Sequence, residues 1–317
     1  MAAATTFALA GCGGGEAGGE SGDAETGRIR VVTSVSKSFP FVVVQAGKRL
    51  GTWEGTGLDV QVIEGTTPTI GQIMAGGQAD IALAGATTEV ANAYSGLPVT
   101  VVASNLNYWD QRVIVRAGGA TSVEALKGGN FGITGAGSPG HYSIEKMAER
   151  LGWSKNDYKL TSLGNIQALQ AALASGSIDA FTWSSDKAFT LEQSGEGRIL
   201  APASEYVGDN VLQSFAVMDS FLKAKPKLVQ KFFESYFATV QKIQAQPQLF
   251  IDVMVQDWKL DPAVADRLAK ETLPKLSIDG VISQAELKGL ADSVTFSIND
   301  PKVKVDSVKY TYWKDLK

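Results

Sequence analysis

Residues 58–84 read LDVQVIEGTTPTIGQIMAGGQADIALA and contain a complete strand-helix-strand unit. Residues 58–63 alternate between apolar and polar side chains, which is typical of a strand. Residues 66–68 (TTP) supply a helix cap and a first-turn proline for a helix over 69–75, and residues 80–84 form the next strand. Because parallel strands need a crossover connection of this kind, the segment predicts a parallel sheet with helices on its faces.

The same alternation continues on both sides of this segment and forms two series. The first also contains predicted strands at 28–32 and 99–102 and helices at 41–50 and 87–94. The second begins near Arg112, with strands at 112–115, 131–134, 158–163 and 178–183 separated by helices. Residues 211–218 then read as one more strand, and residues 227–294 are almost entirely helical. We therefore expect two α/β lobes, with the chain returning to the first lobe and ending there.

Composition narrows the class of protein. Hydrophobic residues make up 44% of the 317 residues and charged residues 20%, as in a packed globular protein. The net charge of −4 and the lack of a basic run argue against a nucleic-acid partner. One histidine, His141, and one cysteine, Cys12, are too few for a His-based metal site or a disulfide framework. We therefore predict no metal and no cofactor.

The amino-terminal segment resembles a lipoprotein export signal. Residues 2–10 form an apolar run that is too short to cross a membrane, and Leu9-Ala10-Gly11-Cys12 follows in the position of a lipidation site. The usual positive n-region is missing, because the first cation is Arg28. Residues 13–27 hold seven glycines and four acids, a composition typical of a flexible tether. The alternative is a disordered tail with a chance cysteine.

Five short motifs, in order along the chain, carry a family resemblance. They are GLDV at 57–60, MAGGQADIA at 74–82, GLPV at 96–99, FGI at 131–133 with GS at 137–138, and ALQAALASGSIDA at 168–180. Together they resemble the periplasmic solute-binding proteins of ABC importers, in the NMT1/THI5-like branch for nitrate, sulfonate, taurine and thiamine-precursor pyrimidines.

The resemblance implies a periplasmic-binding-protein-like α/β fold: two parallel-sheet lobes joined by a hinge of two crossovers, with the helical C-terminal part packing on lobe 1. The predicted division is a leader at 1–12, a tether at 13–27, lobe 1 at 28–107 and 209–317, and lobe 2 at 108–208. The lobes would close over a solute like a hinged clamp.

Ligands of open α/β sheets bind beyond the carboxyl ends of the strands, where loops lead into helix N-termini with unpaired N–H groups. Four such loops, at 34–41, 85–88, 137–142 and 183–186, offer hydroxyls and backbone donors, although Ser and Thr there are also common helix caps. With one aromatic residue from the first crossover, the candidate ligand-binding residues are Ser36, Lys37, Phe39, Ala86, Thr87, Thr88, Trp109, Ser138, His141, Trp183, Ser184 and Asp186.

The leading interpretation is a lipid-anchored, extracytoplasmic binding protein, monomeric, that captures a small anionic or heteroaromatic solute. It would deliver this solute to an ABC permease with its ATPase. The aromatic residues favour an organic ligand slightly over bare nitrate. No catalytic residue is predicted.

Three alternatives stay open. One is an enzyme similar to the pyrimidine synthases of thiamine biosynthesis, although the cysteine-rich motif of those enzymes is missing here. Another is a sensor domain that signals through the same clamp. The third is a dinucleotide site, because Gly135, Gly137 and Gly140 match the spacing Gly-x-Gly-x-x-Gly after a predicted strand.

Overall fold

The computed structural model describes residues 26–317, so the predicted leader, Cys12 and nearly all of the predicted tether lie outside the described residues. The described residues contain ten strands: β1 Gly27–Thr33, β2 Leu58–Glu64, β3 Ile81–Gly85, β4 Val99–Leu106, β5 Arg112–Arg116, β6 Asn130–Ile133, β7 Lys159–Ser162, β8 Ala180–Trp183, β9 Gly197–Pro202 and β10 Gln213–Met218.

Thirteen α-helices are found among residues 26–317. They are α1 Val42–Gln45, α2 Gly47–Leu50, α3 Ile70–Ala75, α4 Ala86–Tyr94, α5 Pro139–Arg150, α6 Ile166–Ser175, α7 Ser185–Gln193, α8 Ser204–Val207, α9 Asp219–Ala224, α10 Pro226–Ala245, α11 Pro247–Asp252, α12 Pro262–Glu271 and α13 Gln284–Ile298. A π-helical segment, Val253–Asp257, extends α11, and short 3-10 turns occur at Phe39–Phe41, Glu124–Leu126, Leu273–Lys275, Val305–Ser307 and Trp313–Asp315.

The strands form two five-stranded sheets, which confirms the predicted fold class. The first has the order β2-β1-β3-β10-β4 and the second the order β7-β6-β8-β5-β9. We call the first sheet with its helices lobe 1 and the second lobe 2. The chain leaves the first sheet after Leu106 and returns to it at Gln213, so the two crossings lie in 107–111 and 203–212. The predicted domain limits themselves stay a prediction.

Each sheet is mixed rather than purely parallel. In lobe 1, β10 runs antiparallel to both of its neighbours, β3 and β4. In lobe 2, β5 runs antiparallel to β8 and β9. Both are the first strand after a crossing, so the chain arrives from the other lobe instead of from a helix on the same sheet. The parallel prediction came from strand-helix-strand units, and these two strands do not belong to one.

The C-terminal helices complete lobe 1, as predicted. Phe215 on β10 lies 5.1 Å from Phe233 and 4.9 Å from Tyr236 between ring centroids, and both partners are on α10. All three rings are buried, and they join one cluster with Ile29 and Leu83 of the sheet. The apolar stripe of α10 therefore packs in the core of lobe 1.

Helix α13 packs closely on α4 and on the second crossing. Its N-terminus has a capping box. The Ser283 hydroxyl accepts a hydrogen bond from the Glu286 N–H, and the Glu286 carboxylate accepts one from the Ser283 N–H. At Gly289 the crossing approaches so closely that an added Cβ would lie 2.0 Å from the Asp209 carbonyl oxygen. The buried Asn210 amide donates to the Gly289 carbonyl at 2.9 Å. Glycine at this position therefore lets the crossing lie directly on the helix.

Candidate functional site

The loops at the carboxyl ends of the central strands meet where the two lobes face each other. In lobe 1 the loop after β1 is joined to β3 by a hydrogen bond of 3.3 Å from Ser34 N–H to the Leu83 carbonyl. From this loop, the buried Ser38 hydroxyl donates to Asp186 Oδ2 of lobe 2 at 3.3 Å. Ser184 donates to the other oxygen, Oδ1, at 2.5 Å. The lobes therefore touch at the Asp186 carboxylate. Among the hydrogen bonds of residues 26–317, only hydroxyl groups donate to this carboxylate.

A second buried carboxylate lies beside this contact. Asp110, in the first crossing, is fully buried and accepts hydrogen bonds from the Ser185 hydroxyl and from the Ser185 N–H at 3.2 Å. Arg112 Nε donates to the same Ser185 hydroxyl at 2.9 Å. Burial raises the pKa of Asp110 to about 6, while the Ser185 hydrogen bond and the Arg112 charge oppose the shift. The nearby Asp186 charge also raises the pKa of Asp110.

This carboxylate already occupies the N-terminus of α7. A helix N-terminus attracts anions through its free N–H groups, and Asp110 takes the first of them, that of Ser185. The predicted loop at 183–186 therefore binds a group of the protein itself. Trp183 is half-buried and packs with the core of lobe 2.

The N-terminus of α5 is largely satisfied as well. Ser138 Oγ accepts from the His141 N–H at 3.2 Å, which is the ordinary role of an N-cap serine. The His141 ring accepts at Nδ1 from the Gly137 N–H at 3.0 Å, and its Nε2 lies 3.4 Å from Glu145. Burial lowers the pKa of His141, although Glu145 opposes this shift. On the side of the loop the ring therefore acts as a hydrogen-bond acceptor.

Among these three helices, α4 is the one whose N-terminal N–H groups donate to no side chain. Gly85 is its N-cap residue, and the buried Ala86 donates its N–H to Leu212 in the second crossing at 3.0 Å. Thr87 and Thr88 are half-buried, and the Thr87 hydroxyl lies 3.4 Å from the Ser293 hydroxyl of α13. The first turn of α4 therefore offers N–H groups and hydroxyls beside the second crossing.

The remaining candidates have structural contacts of other kinds. Ser36 donates to Glu64 at 2.8 Å, and Lys37 is exposed with a positive φ of 50°. Phe39 is 1% exposed and packs edge-on against Phe250 in the core of lobe 1. Trp109 is 2% exposed, stacks at a tilt on Tyr142, and donates from Nε1 to Ser143 at 2.8 Å. In this conformation neither Phe39 nor Trp109 has a free face for a solute.

Packing accounts for two of the three glycines in the dinucleotide alternative, Gly137 and Gly140. A Cβ on Gly137, where φ is +76°, would lie 2.4 Å from the Ser297 carbonyl of α13. A Cβ on Gly140 would lie 3.2 Å from the Thr182 hydroxyl. Protein atoms therefore occupy the space beside these glycines, where a pyrophosphate would need close approach to the backbone.

A cavity of about 990 Å³ lies beside this region, between α5 and the C-terminal end of α13. Tyr142, Trp153, Tyr158 and Phe296 supply its aromatic walls. Its Glu145 carboxylate is satisfied by Lys155 and by the Tyr158 hydroxyl at 2.8 Å. His141 is the one predicted ligand-binding residue that lines it.

Sequence reasoning missed four polar residues at or beside the contact between the lobes: Ser38, Asp110, Arg112 and Ser185. Ser38 and Ser185 lie in loops that the sequence singled out, one residue from predicted candidates. Asp110 follows Trp109 in the crossing and Arg112 begins β5, and a charged pair there was the available signal. Within residues 26–317 no group of three or more His, Cys, Asp or Glu side chains is arranged to hold a metal ion.

The comparisons with known proteins agree with this geometry. A model of the family described as NMT1/THI5 like matches residues 39–249, about two thirds of the chain. The chain belongs to the NMT1/THI5-like family. No curated protein matches it in sequence.

None of the helices described in residues 26–317 is long and apolar enough to span a bilayer.

Several solved structures share the fold of this family member. The periplasmic aliphatic sulphonate binding protein SsuA from Escherichia coli has a TM-score of 0.77 at 14% identity, over 90% of this chain and 92% of that one. The alkanesulfonate-binding protein SsuA from Xanthomonas axonopodis pv. citri, bound to MOPS, has a TM-score of 0.73 at 21% identity, over 91% of this chain and 99% of that one. The periplasmic nitrate-binding protein NrtA from Synechocystis PCC 6803 has a TM-score of 0.69 at 12% identity, over 92% of this chain and 88% of that one.

Proposed function

We propose that this protein is the extracytoplasmic solute-binding component of an ABC importer, acting as a monomer. It captures a small anionic or heteroaromatic solute between its lobes and delivers it to a permease with its ATPase. The observation that carries this proposal is the double crossing between two sheets whose carboxyl-end loops meet at the Ser38–Asp186 contact. The sulfonate- and nitrate-binding proteins among the structural neighbours support the solute class. Their binding role also supports this function over the enzyme alternative.

We place the anionic group of the solute at the N-terminus of α4. The N-terminus of α7 holds Asp110, and that of α5 is capped by Ser138. Helix α4 has nine residues, no side-chain cap, and Thr87 and Thr88 in its first turn. Its N–H groups and partial positive charge suit a sulfonate or a similar oxyanion. Ser36, Lys37 and Ser184 lie in neighbouring loops and remain candidates for the rest of the solute.

The test removes the backbone N–H of Thr87, together with its hydroxyl, without removing the helix. Thr87→Pro deletes the N–H of the second helical residue, a position where proline is tolerated because that N–H has no partner within the helix. Loss of one hydrogen bond to a charged group should weaken sulfonate binding roughly tenfold or more. A thermal-shift screen of MOPS, taurine, nitrate, aromatic carboxylates, pyrimidines and flavins selects the probe, and calorimetry measures its affinity.

Gln167→Pro is the matched control, because Gln167 is also the second residue of its helix, α6, and is exposed. It should leave the affinity unchanged. Equal affinity in the Thr87→Pro variant and the wild type would refute the placement at α4. A screen in which no compound raises the melting temperature would count against the solute-binding role itself.

We also propose that Cys12 carries the lipid that holds the protein at the outer face of the membrane. Cys12→Ala removes the only thiol of the chain and with it the acylation site. Expressed in a bacterium that processes lipoproteins, the variant should move from the membrane fraction to the soluble extracytoplasmic fraction. Membrane association of the Cys12→Ala protein equal to that of the wild type would show that the anchor lies elsewhere.

A further inference from the structure

A second contact between the lobes lies away from the polar loops, where α12 of lobe 1 meets α7 of lobe 2. Arg267 on α12 reaches across this boundary. Its guanidinium carbon lies 3.9 Å from the ring centroid of Phe189, and its NH1 group lies 2.6 Å from Glu192 Oε2. Both partners are on α7. One arginine of lobe 1 therefore makes a cation–π contact and an ion pair with the same helix of lobe 2.

The geometry of this arginine is fixed from both sides. On its own helix, Glu271 accepts from Arg267 Nε at 2.7 Å and orients the planar guanidinium over the ring. On lobe 2, Glu192 also accepts from the Ile199 N–H of β9 at 3.0 Å, so its carboxylate is held in place. A planar, forked cation suits this combination of stacking and paired hydrogen bonds, and a lysine does not reproduce it.

The contact is linked to the buried polar cluster of the first crossing. Glu271 Oε2 lies 3.7 Å from the NH2 group of Arg112. The guanidinium carbon of Arg112 lies 5.5 Å from the centroid of the Phe189 ring. Arg112 donates to Ser185, the residue that binds Asp110. The Phe189 ring is 1% exposed, so movement of α7 away from α12 would expose it. Separation of the lobes therefore has a cost that does not depend on a solute.

We propose that Arg267 is a positioning residue for lobe closure, which holds α7 against α12 and so sets the fraction of closed molecules. This inference rests on the proposed clamp function. A solute that binds only the closed form has an apparent affinity proportional to that fraction. Loss of Arg267 thus weakens binding without removing any group that touches the solute.

The test measures the lobe separation with no solute present. Spin labels are placed on cysteines at Thr67 and Gln167, exposed positions that follow outer strands of the two sheets, in a Cys12→Ser background that removes the natural thiol. Distances between the labels are measured by pulsed electron resonance in the wild type and in Arg267→Ala. We expect the population of the longer distance to rise roughly threefold or more in Arg267→Ala.

Three further variants separate a closure role from a general loss of stability. Arg49→Ala removes an ion pair with Asp257 that lies within lobe 1, and it should leave the distances unchanged. Arg267→Lys should restore the wild-type distribution only in part. The double variant Arg267→Ala, Glu192→Gln should not exceed Arg267→Ala alone, because both changes break the same contact.

A distance distribution in Arg267→Ala that matches the wild type would overturn the inference, as would an equal shift in Arg49→Ala. Because the measurement uses the solute-free protein, its result does not depend on the ligand screen. If the distances shift and no compound binds, the closure role stands and the transport proposal fails. If compounds bind and the distances do not shift, only the closure role fails.

Discussion

Gly289→Ala should lower the melting temperature by roughly 6 °C, although alanine is normally the better helix former. An added Cβ would lie 2.0 Å from the Asp209 carbonyl oxygen, and this neighbour is backbone that cannot rotate away. Overpacking of this kind costs about 3 kcal/mol, and at this chain length each kcal/mol corresponds to about 2 °C. The crossing at Asp209 and Asn210 must then move off α13. Differential scanning calorimetry gives the measurement.

Gly71→Ala is the matched control for this prediction. Gly71 is also helical, in α3, but its nearest neighbour is the side-chain amide of Asn92 at 3.1 Å, which is free to reorient. Its melting temperature should stay within about 1 °C of the wild type, since the gain in helix propensity offsets a small adjustment. If Gly289→Ala proved as stable as Gly71→Ala, the close approach of the second crossing to α13 would be wrong.

Asp110 should make the protein less stable as the pH rises from about 4 to about 6. Burial raises its pKa in the folded protein to about 6 from an ordinary value of 3.8, so the native state binds the proton more tightly than the unfolded state. The stabilisation is therefore fully present below pH 3.8 and is lost as the pH passes 6. A shift of this size corresponds to roughly 2–3 kcal/mol of unfolding free energy.

Asp110→Asn removes this titration. The unfolding free energy of the wild type minus that of the variant should decrease by roughly 2–3 kcal/mol as the pH rises from 4 to 7. Urea denaturation measures both free energies. Burial also raises the pKa of Glu89. Because Glu89 is present in both proteins, its contribution to the free-energy difference cancels. A difference that is flat with pH would mean that Asp110 is not buried as a carboxyl group.

Much of the fold was predictable because its signals are local. The strand over 58–63, the helix entered at Ser138-Pro139 and the apolar stripe of α10 follow from alternation, capping and helical spacing. The return of the chain to the first sheet was predictable from the change of pattern after residue 200. The direction of β5 and β10 was not, because a single strand has the same alternation whether it runs parallel or antiparallel.

The candidate site was predictable only as a set of loops. Ser184 and Asp186 do lie at the boundary between the lobes, where the topology brings their loop against the one that holds Ser38. Phe39 and Trp109 are buried because their side chains point into packed layers, and a loop sequence does not encode that direction. The capture of the α7 N-terminus by Asp110 depends on a residue more than seventy positions away. Sequence spacing gives no signal for such a pair.

The insertion of β10 between β3 and β4 has a consequence for biosynthesis. All strands of lobe 2 lie in one continuous stretch, from Arg112 to Pro202, so this half can complete its sheet without any residue from 213 onward. Lobe 1 must wait for a strand from the last third of the chain, which closes a loop of more than a hundred residues. Until then β3 and β4 have unpaired edges, the kind of exposure that makes a nascent chain prone to aggregate and in need of chaperones.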